Sequence, residues 1–401
     1  MSGIAEFAST RGRLPRHTNV AAAIAAMRPP VPVYALIPSA FQAAARSFRE
    51  GFAGETMYAV KANHAAPVMD QVYAAGIRHF DVASIPEVKA VHDRFPDAAM
   101  SFMAPVRLRG AAGEAYRSFR IRDFALDSAA ELQTILRETG AHADKVIAKE
   151  LTLYVRLSVP ADGALLELAS KFGANTEEAA ALLKEIARLG AQPALTFHVG
   201  SQCMKAEAYV RALAICGDVI ARAGVTIAAL DIGGGFPGYY RNVAVPPLSS
   251  YFDAINAGIR SLELPAATLL HCEPGRALVA DGLSLITQVM IRRDHTIFIN
   301  DGIYGSLNEY ALKDWPVRYP LRVFTSRPDG SIAEKQGQTE LFKVFGPTCD
   351  TLDVLHYQLE IPAAITAGDW VVFDKLGAYS CALRTAFNGF FPDTFVETDA
   401  A

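Results

Sequence analysis

Lys61 ends the run Met57-Tyr58-Ala59-Val60-Lys61-Ala62-Asn63, a β-favouring apolar stretch that Asn63, His64 and Pro67 then break. Lysine is rarely buried unless it is paired or reactive, and desolvation lowers its pKa towards that of a nucleophilic amine. A lysine at a strand's end is therefore a candidate for a Schiff base with a carbonyl compound. On this stretch alone, a surface lysine closing an edge strand reads the same way. A second chemistry lies in Leu230-Asp231-Ile232-Gly233-Gly234-Gly235-Phe236-Pro237-Gly238. Three successive glycines let backbone N–H groups come close to a phosphate. The stretch formally satisfies G-x-G-x-x-G, but a dinucleotide site needs that motif to open a helix. Here Pro237 and Tyr239-Tyr240 follow, and Asp253 falls in a helical pattern rather than at a strand end. Arg276, behind Gly275, adds a charge-assisted phosphate contact, so a phosphorylated cofactor or substrate is favoured over a bare metabolite.

Glu273, immediately before Pro274, offers a carboxylate. A carboxylate beside a pyridine nitrogen keeps that nitrogen protonated, and a protonated ring is a strong electron sink. His198, in Phe197-His198-Val199-Gly200-Ser201, is placed to lie flat on such a ring. Taken alone, a histidine on an apolar strand is as well explained as a satisfied core residue. His271-Cys272-Glu273 does not make a zinc site, because adjacent strand residues alternate faces and no second ligand cluster is near in the sequence. No metal is expected.

The elements that must position these groups follow a rhythm. Strand-like runs occur at Met57–Ala62, His79–Ser84, Met100–Ala104, Asp123–Ser128, Leu151–Val159, Ala194–Gly200, Ile227–Gly235 and Thr268–Arg276. Helical 3.6-residue patterns lie between them, as in Glu131-Leu132…Ile135-Leu136 and Ala181-Leu182-Leu183…Ile186. Strand alternating with helix predicts a parallel sheet with crossover helices. Eight such units close a (β/α)8 barrel, usually over about 250 residues. In order, the runs finish with Lys61, Asp81, Met103, Asp127, Arg156, His198, Gly233-Gly234-Gly235 and Glu273-Pro274-Gly275-Arg276. In such barrels the strand C-termini build the site, and a purely structural strand has no need of charged, imidazole or glycine groups there.

After residue 280 the pattern changes. Leu283–Ile291, Thr296–Ile299, Leu341–Phe345 and Trp370–Phe373 read as strands, and Pro328-Asp329-Gly330 as a turn. An Ala-rich helix is expected over Val20–Met27, and Val31–Leu36 as a strand whose proline suggests a sheet edge. The expected organisation is an N-terminal segment 1–37 joining the β domain, a barrel over 38–280 and a C-terminal all-β domain over 281–401.

Composition bounds the partners. The chain has 401 residues, 51% of them apolar and 20% charged, with a net charge of -4. This gives no reason to expect nucleic acid or an anionic membrane surface. No apolar run approaches the roughly 18 residues of a membrane span. Arg11, Arg13 and Arg16 are not followed by a compact apolar core and cleavage site, so no secretory signal is read. Five cysteines without a Cys-x-x-Cys pair fit reduced thiols in a cytoplasm.

Six motifs occur in order: Tyr58-Ala59-Val60-Lys61-Ala62-Asn63, His198-Val199-Gly200-Ser201-Gln202, Asp231-Ile232-Gly233-Gly234-Gly235-Phe236-Pro237, Glu273-Pro274-Gly275-Arg276, Gly346-Pro347-Thr348-Cys349-Asp350 and Gly377-Ala378-Tyr379. Over roughly residues 30 to 395 they resemble the fold-type III pyridoxal-phosphate decarboxylases, which act on ornithine, lysine, arginine and diaminopimelate. Gly-Pro-Thr-Cys-Asp…Leu-Asp and Phe387-Asn388-Gly389-Phe390 look most like ornithine decarboxylase. The resemblance implies an alanine racemase-like fold and pyridoxal 5'-phosphate as cofactor. It implies that Lys61 holds the cofactor covalently, Glu273 pairs with the ring nitrogen and His198 stacks on the ring. Ser201, Gly233, Gly234, Gly235, Gly275, Arg276 and Tyr379 would grip the phosphate end. Asp81 and Arg156 would surround the cofactor, with Glu87 nearby. Cys349, acting at the protonation step, and Asp350, holding a distal amine, would enter from the other subunit of a homodimer.

One stretch departs from the ornithine pattern. Leu312-Lys313 stands where a Tyr-Asp pair helps bind the δ-amine, which leaves Asp314 or Glu309 as replacement ligands for the tail. L-Ornithine is the first expected substrate, with lysine, diaminopimelate or an amino acid with a modified tail as alternatives. A racemase on the same barrel would need a tyrosine base where Cys349 stands. An inactive regulatory relative would have lost the lysine or the phosphate ligands. A cofactor-free aldolase would have no use for the glycine loop and Glu273.

Overall fold

The computed structural model describes residues 12–160, 163–166 and 171–400. Eight parallel strands close on themselves: Glu55–Ala59, His79–Val82, Ala99–Phe102, Asp123–Leu126, Thr152–Leu157, Gln192–Phe197, Ala229–Asp231 and Leu269–Cys272. They are called here the first to eighth barrel strands. The eighth returns to the first through the register pairs His271 with Glu55 and Cys272 with Thr56. Each predicted run overlaps one of these strands; Asp81 and Arg156 lie within the strand ends, while Lys61, Met103, Asp127, His198 and Glu273 sit just beyond them.

The crossover helices start where the sequence supplies caps. Ser84 and Ser128 each accept the N–H three residues on, opening Ile85–Arg94 and Ala129–Thr139. Asn175 and Glu178 form a reciprocal capping box at the head of Thr176–Leu189. Apolar residues at helical spacing then face the strands; Leu182, Leu183 and Ile186 are buried on one such face. The stretch after Gly235 opens no helix until Leu248–Ser261, and Asp253 lies within that helix, so the dinucleotide pattern is absent in space as well.

The second body is a ten-stranded mixed sheet. Its longest strand, Leu283–Arg293, pairs antiparallel with Val33–Leu36, Thr296–Ile299 and Trp370–Phe373. Helix Val20–Met27 packs Val20, Ala23 and Ile24 against Val33, Ile286, Trp370 and Val396 of this sheet in a core of its own. Val33–Leu36 is not an edge strand, because Thr394–Thr398 pairs with its other side. Pro32 stands before the first ladder residue, so its missing N–H removes no sheet hydrogen bond. Leu321–Ser326, Leu359–Pro362 and Thr394–Thr398 are further strands not marked by the sequence pattern. Among the described residues no helix is long and apolar enough to cross a membrane.

Candidate active site

Lys61 lies in a single 3-10 turn, Val60–Ala62, that follows the first barrel strand. Its ammonium stands 3.6 Å from Asp81 Oδ2 at the end of the second strand. Burial alone pulls the pKa of this amine down, but Asp81 and Glu273 outweigh it and hold the pKa above its ordinary value. Position therefore does not lower the lysine's pKa as the sequence reading expected; two carboxylates keep it protonated until something else takes up their charge.

Those carboxyls are themselves shifted upward. Burial, then the neighbouring Asp231 and Asp81, push the Glu273 carboxyl well above the usual range. Asp81 is raised by burial despite Lys61, and Glu87 is pushed up to about 7, again by burial first. His198, buried and facing Lys61 and Arg156, is kept neutral, with its pKa well below the ordinary imidazole value. Its Nδ1 accepts the Gly200 N–H at 3.0 Å. Burial also lowers the pKa of Arg156, against Glu273 and Asp81.

The glycine loop is positioned by what surrounds it. Asp231 accepts the Thr196 hydroxyl at 2.6 Å and the Gly233 N–H at 2.9 Å. Gly233 has φ +65°, and a Cβ there would stand 1.9 Å from the Phe197 carbonyl oxygen. No side chain fits that approach. Gln202 clasps the loop's far end, donating to the Gly238 carbonyl at 2.7 Å and accepting its N–H at 2.9 Å. The sequence carried both residues inside its motifs, but without a role for either. A Cβ on Gly275 would meet that of Ala62 at 2.8 Å, so this glycine lets the Arg276 turn pack against the lysine turn.

The sheet closes the mouth. The Tyr379 N–H donates to the Ala62 carbonyl at 2.8 Å, and Asn63 Nδ2 donates to the Gly377 carbonyl at 2.8 Å. A cavity of about 430 Å³ remains between barrel and sheet, lined from the barrel by Lys61, Arg156, Lys171, Phe172, His198, Ser201 and Arg276 and from later residues by Asn308, Glu309, Leu312, Tyr379 and Leu383.

Two atoms test what this cavity accepts. Glu273 Oε1 and Arg276 Nε are both buried without a hydrogen-bond partner. Unpaired buried polar atoms are rare and costly. The first suits a ring N–H lying under neutral His198, and the second suits a phosphate oxygen. A phosphorylated pyridine aldehyde reaching Lys61 satisfies both.

Not every expected residue is brought here. Glu309 lines the cavity, but its carboxylate is occupied: Arg276 donates to it at 2.6 and 3.2 Å, and Tyr319 donates a further short hydrogen bond. It is a partner of Arg276, not a free ligand for a substrate amine. Asp314 sits in an exposed turn outside the cavity lining, as does Lys313; Leu312 is the residue that lines it. Cys349 and Asp350 also lie outside their own chain's cavity lining. Cys349 is exposed and within 3.2 Å of Asn388 Oδ1, and Asp350 is held by the Tyr304 hydroxyl and the Leu352 N–H. Their loop is fixed by Asp353, which accepts from the N–H groups of Ile303 and Thr348 at 3.0 Å each. His271 is not isolated: Glu55 and His79 stand beside it at the other end of the barrel, ligand types that the sequence spacing kept out of view.

A barrel with a lysine, a carboxylate and a glycine cradle at its mouth, covered by a β sheet, defines a pyridoxal-phosphate enzyme. The family model "Pyridoxal-dependent decarboxylase, pyridoxal binding domain" matches residues 35–280. The chain is 32% identical to the lysine/ornithine decarboxylase of Selenomonas ruminantium over 344 residues, covering 83% of this chain and 81% of that protein. Among solved structures, it matches the arginine decarboxylase of Paramecium bursaria Chlorella virus bound to agmatine with a TM-score of 0.79 and 25% identity, covering 94% and 98% of the two chains. An SrLDC mutant in complex with PLP matches with a TM-score of 0.81 and 27% identity, covering 96% of each chain. The chain belongs to the pyridoxal-dependent decarboxylases. It is a pyridoxal-phosphate-dependent amino-acid decarboxylase with a (β/α)8 barrel and a β domain.

Proposed function

We propose that this decarboxylase acts on a basic L-amino acid, ornithine first and lysine second, releasing CO2 and a diamine (putrescine from ornithine). The working unit in this reading is a homodimer with shared sites. The observation that carries the substrate class is Asp350. Its carboxylate is held below the ordinary range by the Leu352 N–H and the Tyr304 hydroxyl, and so stays ionised. Among the cavity's lining residues after residue 280, Asn308, Leu312 and Leu383 carry no charge and Glu309 is already taken by Arg276. A cationic tail therefore needs Asp350 of the partner subunit. Similar proteins named for lysine, ornithine and arginine favour the same class.

In this reading Lys61 would hold the cofactor's aldehyde, the unpaired Glu273 Oε1 would accept from its ring nitrogen, and neutral His198 would pack against its ring. Ser201, Gly233 to Gly235, Gly275, the Arg276 Nε–H and Tyr379 hold the phosphate, while Asp81 and Arg156 flank the ring. Bound pyridoxal phosphate supplies the electron sink that accepts the pair left by the departing carboxylate. The chain's own share would be orientation: contacts to the tail would fix which of the substrate's bonds is held for cleavage. The Cys349 thiol of the partner subunit returns a proton to Cα. An exposed thiol in that role suits a reducing cytoplasm.

The test is a panel of ornithine, lysine, arginine, diaminopimelate and acidic amino acids read by CO2 release. Ornithine is expected to give the highest kcat/KM, and Asp350→Asn to lower it roughly a hundredfold. Turnover confined to acidic amino acids would sink the diamine reading and leave the cofactor site untouched.

A further inference from the structure

The opposite end of the barrel interior gathers a second set of groups that the decarboxylase site does not use. Glu55 opens the first strand, His79 opens the second, and His271 lies on the eighth directly across from Glu55 in register. One ligand atom from each lies within 4.8 Å of the others. His79 Nδ1 is 3.1 Å from Glu55 Oε2, and His271 Nε2 is 3.7 Å from the same oxygen.

The donors around His79 fix what faces Glu55. Ser101 has a single hydroxyl proton and gives it to Asp123 Oδ2 at 3.0 Å. The 2.8 Å contact between Ser101 Oγ and His79 Nε2 must then be donated by the histidine. That places the proton of a neutral ring on Nε2 and leaves the Nδ1 lone pair aimed at a carboxylate. His79 is 6% exposed, and its Nδ1 has no hydrogen-bond partner. Two acceptors face each other at contact distance, and only a cation between them relieves that. His271 is framed in the same way, with its Nδ1 3.2 Å from the buried Tyr154 hydroxyl and Nε2 turned towards Glu55.

We propose that the barrel floor binds a divalent cation of the zinc class through His79 Nδ1, His271 Nε2 and a carboxylate oxygen of Glu55. Imidazole nitrogens and a carboxylate suit zinc, and tetrahedral coordination spaces such ligand atoms about 3.4 Å apart. The observed separations bracket that value. Each ligating imidazole has its second nitrogen held by a hydroxyl, the outer-shell arrangement that fixes ring orientation in metal sites. The Glu55 side chain is 53% exposed, which leaves room for a water ligand. A cavity of about 510 Å³ borders the cluster at His79. The ion would pin the eighth strand to the first and second, the seam where the barrel closes.

The test uses holoenzyme incubated with Zn2+ and dialysed, with metal per chain read by elemental analysis and Co2+ substitution read by its visible d–d bands. Wild type is expected to keep about one equivalent per chain and to melt at a higher temperature with Zn2+. His271→Gln should lose the ion. Glu55→Gln, at a half-exposed position that endangers folding less, should bind at least about tenfold more weakly. His295→Gln, which alters an exposed His–Glu pair on the sheet, should bind as wild type. Failure of wild type to retain metal would leave a proton as the cation between His79 and Glu55 and overturn the proposal. Equal retention by wild type and His271→Gln would do the same.

Discussion

The two ends of the barrel interior are built from the same strands, yet they handle charge in opposite ways. At the floor, Glu55 keeps half its surface in water, and its carboxyl is held below the ordinary range by the adjoining His79. At the mouth, Asp81 and Glu273 are buried under the sheet, and their carboxyls are driven upward by desolvation. Water access and the adjoining histidines let the floor carboxylate remain ionised. The mouth is stacked with acids and bases that leave buried atoms unpaired, an arrangement the fold alone does not reward. Such strain is the mark of a site built around something it must receive.

The sharpest way to break this contrast is to remove the base at the mouth. Lys61→Ala should cut CO2 release by at least about a thousandfold. It should also abolish borohydride-stable labelling by the cofactor; label on another lysine would move the whole site. Next comes sharing between subunits. Lys61→Ala mixed with Cys349→Ala should restore about a quarter of wild-type activity, because random pairing leaves one intact site in half the dimers. Proven subunit exchange without recovery would confine each site to one chain.

Gly233→Ala asks how tightly the mouth is built. A Cβ 1.9 Å from the Phe197 oxygen, at φ +65°, should cost about 3 kcal/mol in urea denaturation. A cost under about 1 kcal/mol would mean that the loop relaxes freely. The smallest effect belongs to Glu87, whose carboxyl is pushed up to about 7. A raised carboxyl stabilises the fold most below its unfolded pKa and loses that contribution as pH climbs through the folded value. Stability of the cofactor-free protein should therefore fall between about pH 5 and 8, by on the order of 2 kcal/mol from this group. Glu87→Gln should flatten that slope, and an unchanged profile would assign it to other groups.

Most of the barrel was legible in the sequence because parallel strands buried on both faces read as short apolar runs with chemistry at their ends. The sheet was read less fully. Leu321–Ser326 and Thr394–Thr398 carry Arg322, Thr325, Glu397 and Thr398 among their apolar residues, which blurs the pattern. The mouth's main groups were visible because each sits in a motif. The pairing of Arg276 with Glu309 was not, since it joins the barrel to a turn 33 residues on and replaces a substrate role with an internal one. The floor cluster was hidden for a similar reason: His271 meets Glu55 only when the eighth strand closes on the first.

The sheet strand Val33–Leu36 has a consequence in the order of synthesis. It leaves the ribosome ahead of the whole barrel, yet one of its neighbours is Thr394–Thr398, which follows the barrel and most of the sheet. All eight barrel strands are out before either neighbour of that early strand is complete. During translation it must stay unpaired, an open sheet edge tethered to a folding barrel. The lid over Lys61 likewise depends on residues that follow the barrel, Gly377 and Tyr379. The barrel can therefore assemble during translation while its mouth still stands open. The completed pocket forms only once the sheet residues Gly377 and Tyr379 have emerged, so a nascent barrel cannot become an active enzyme ahead of the sheet.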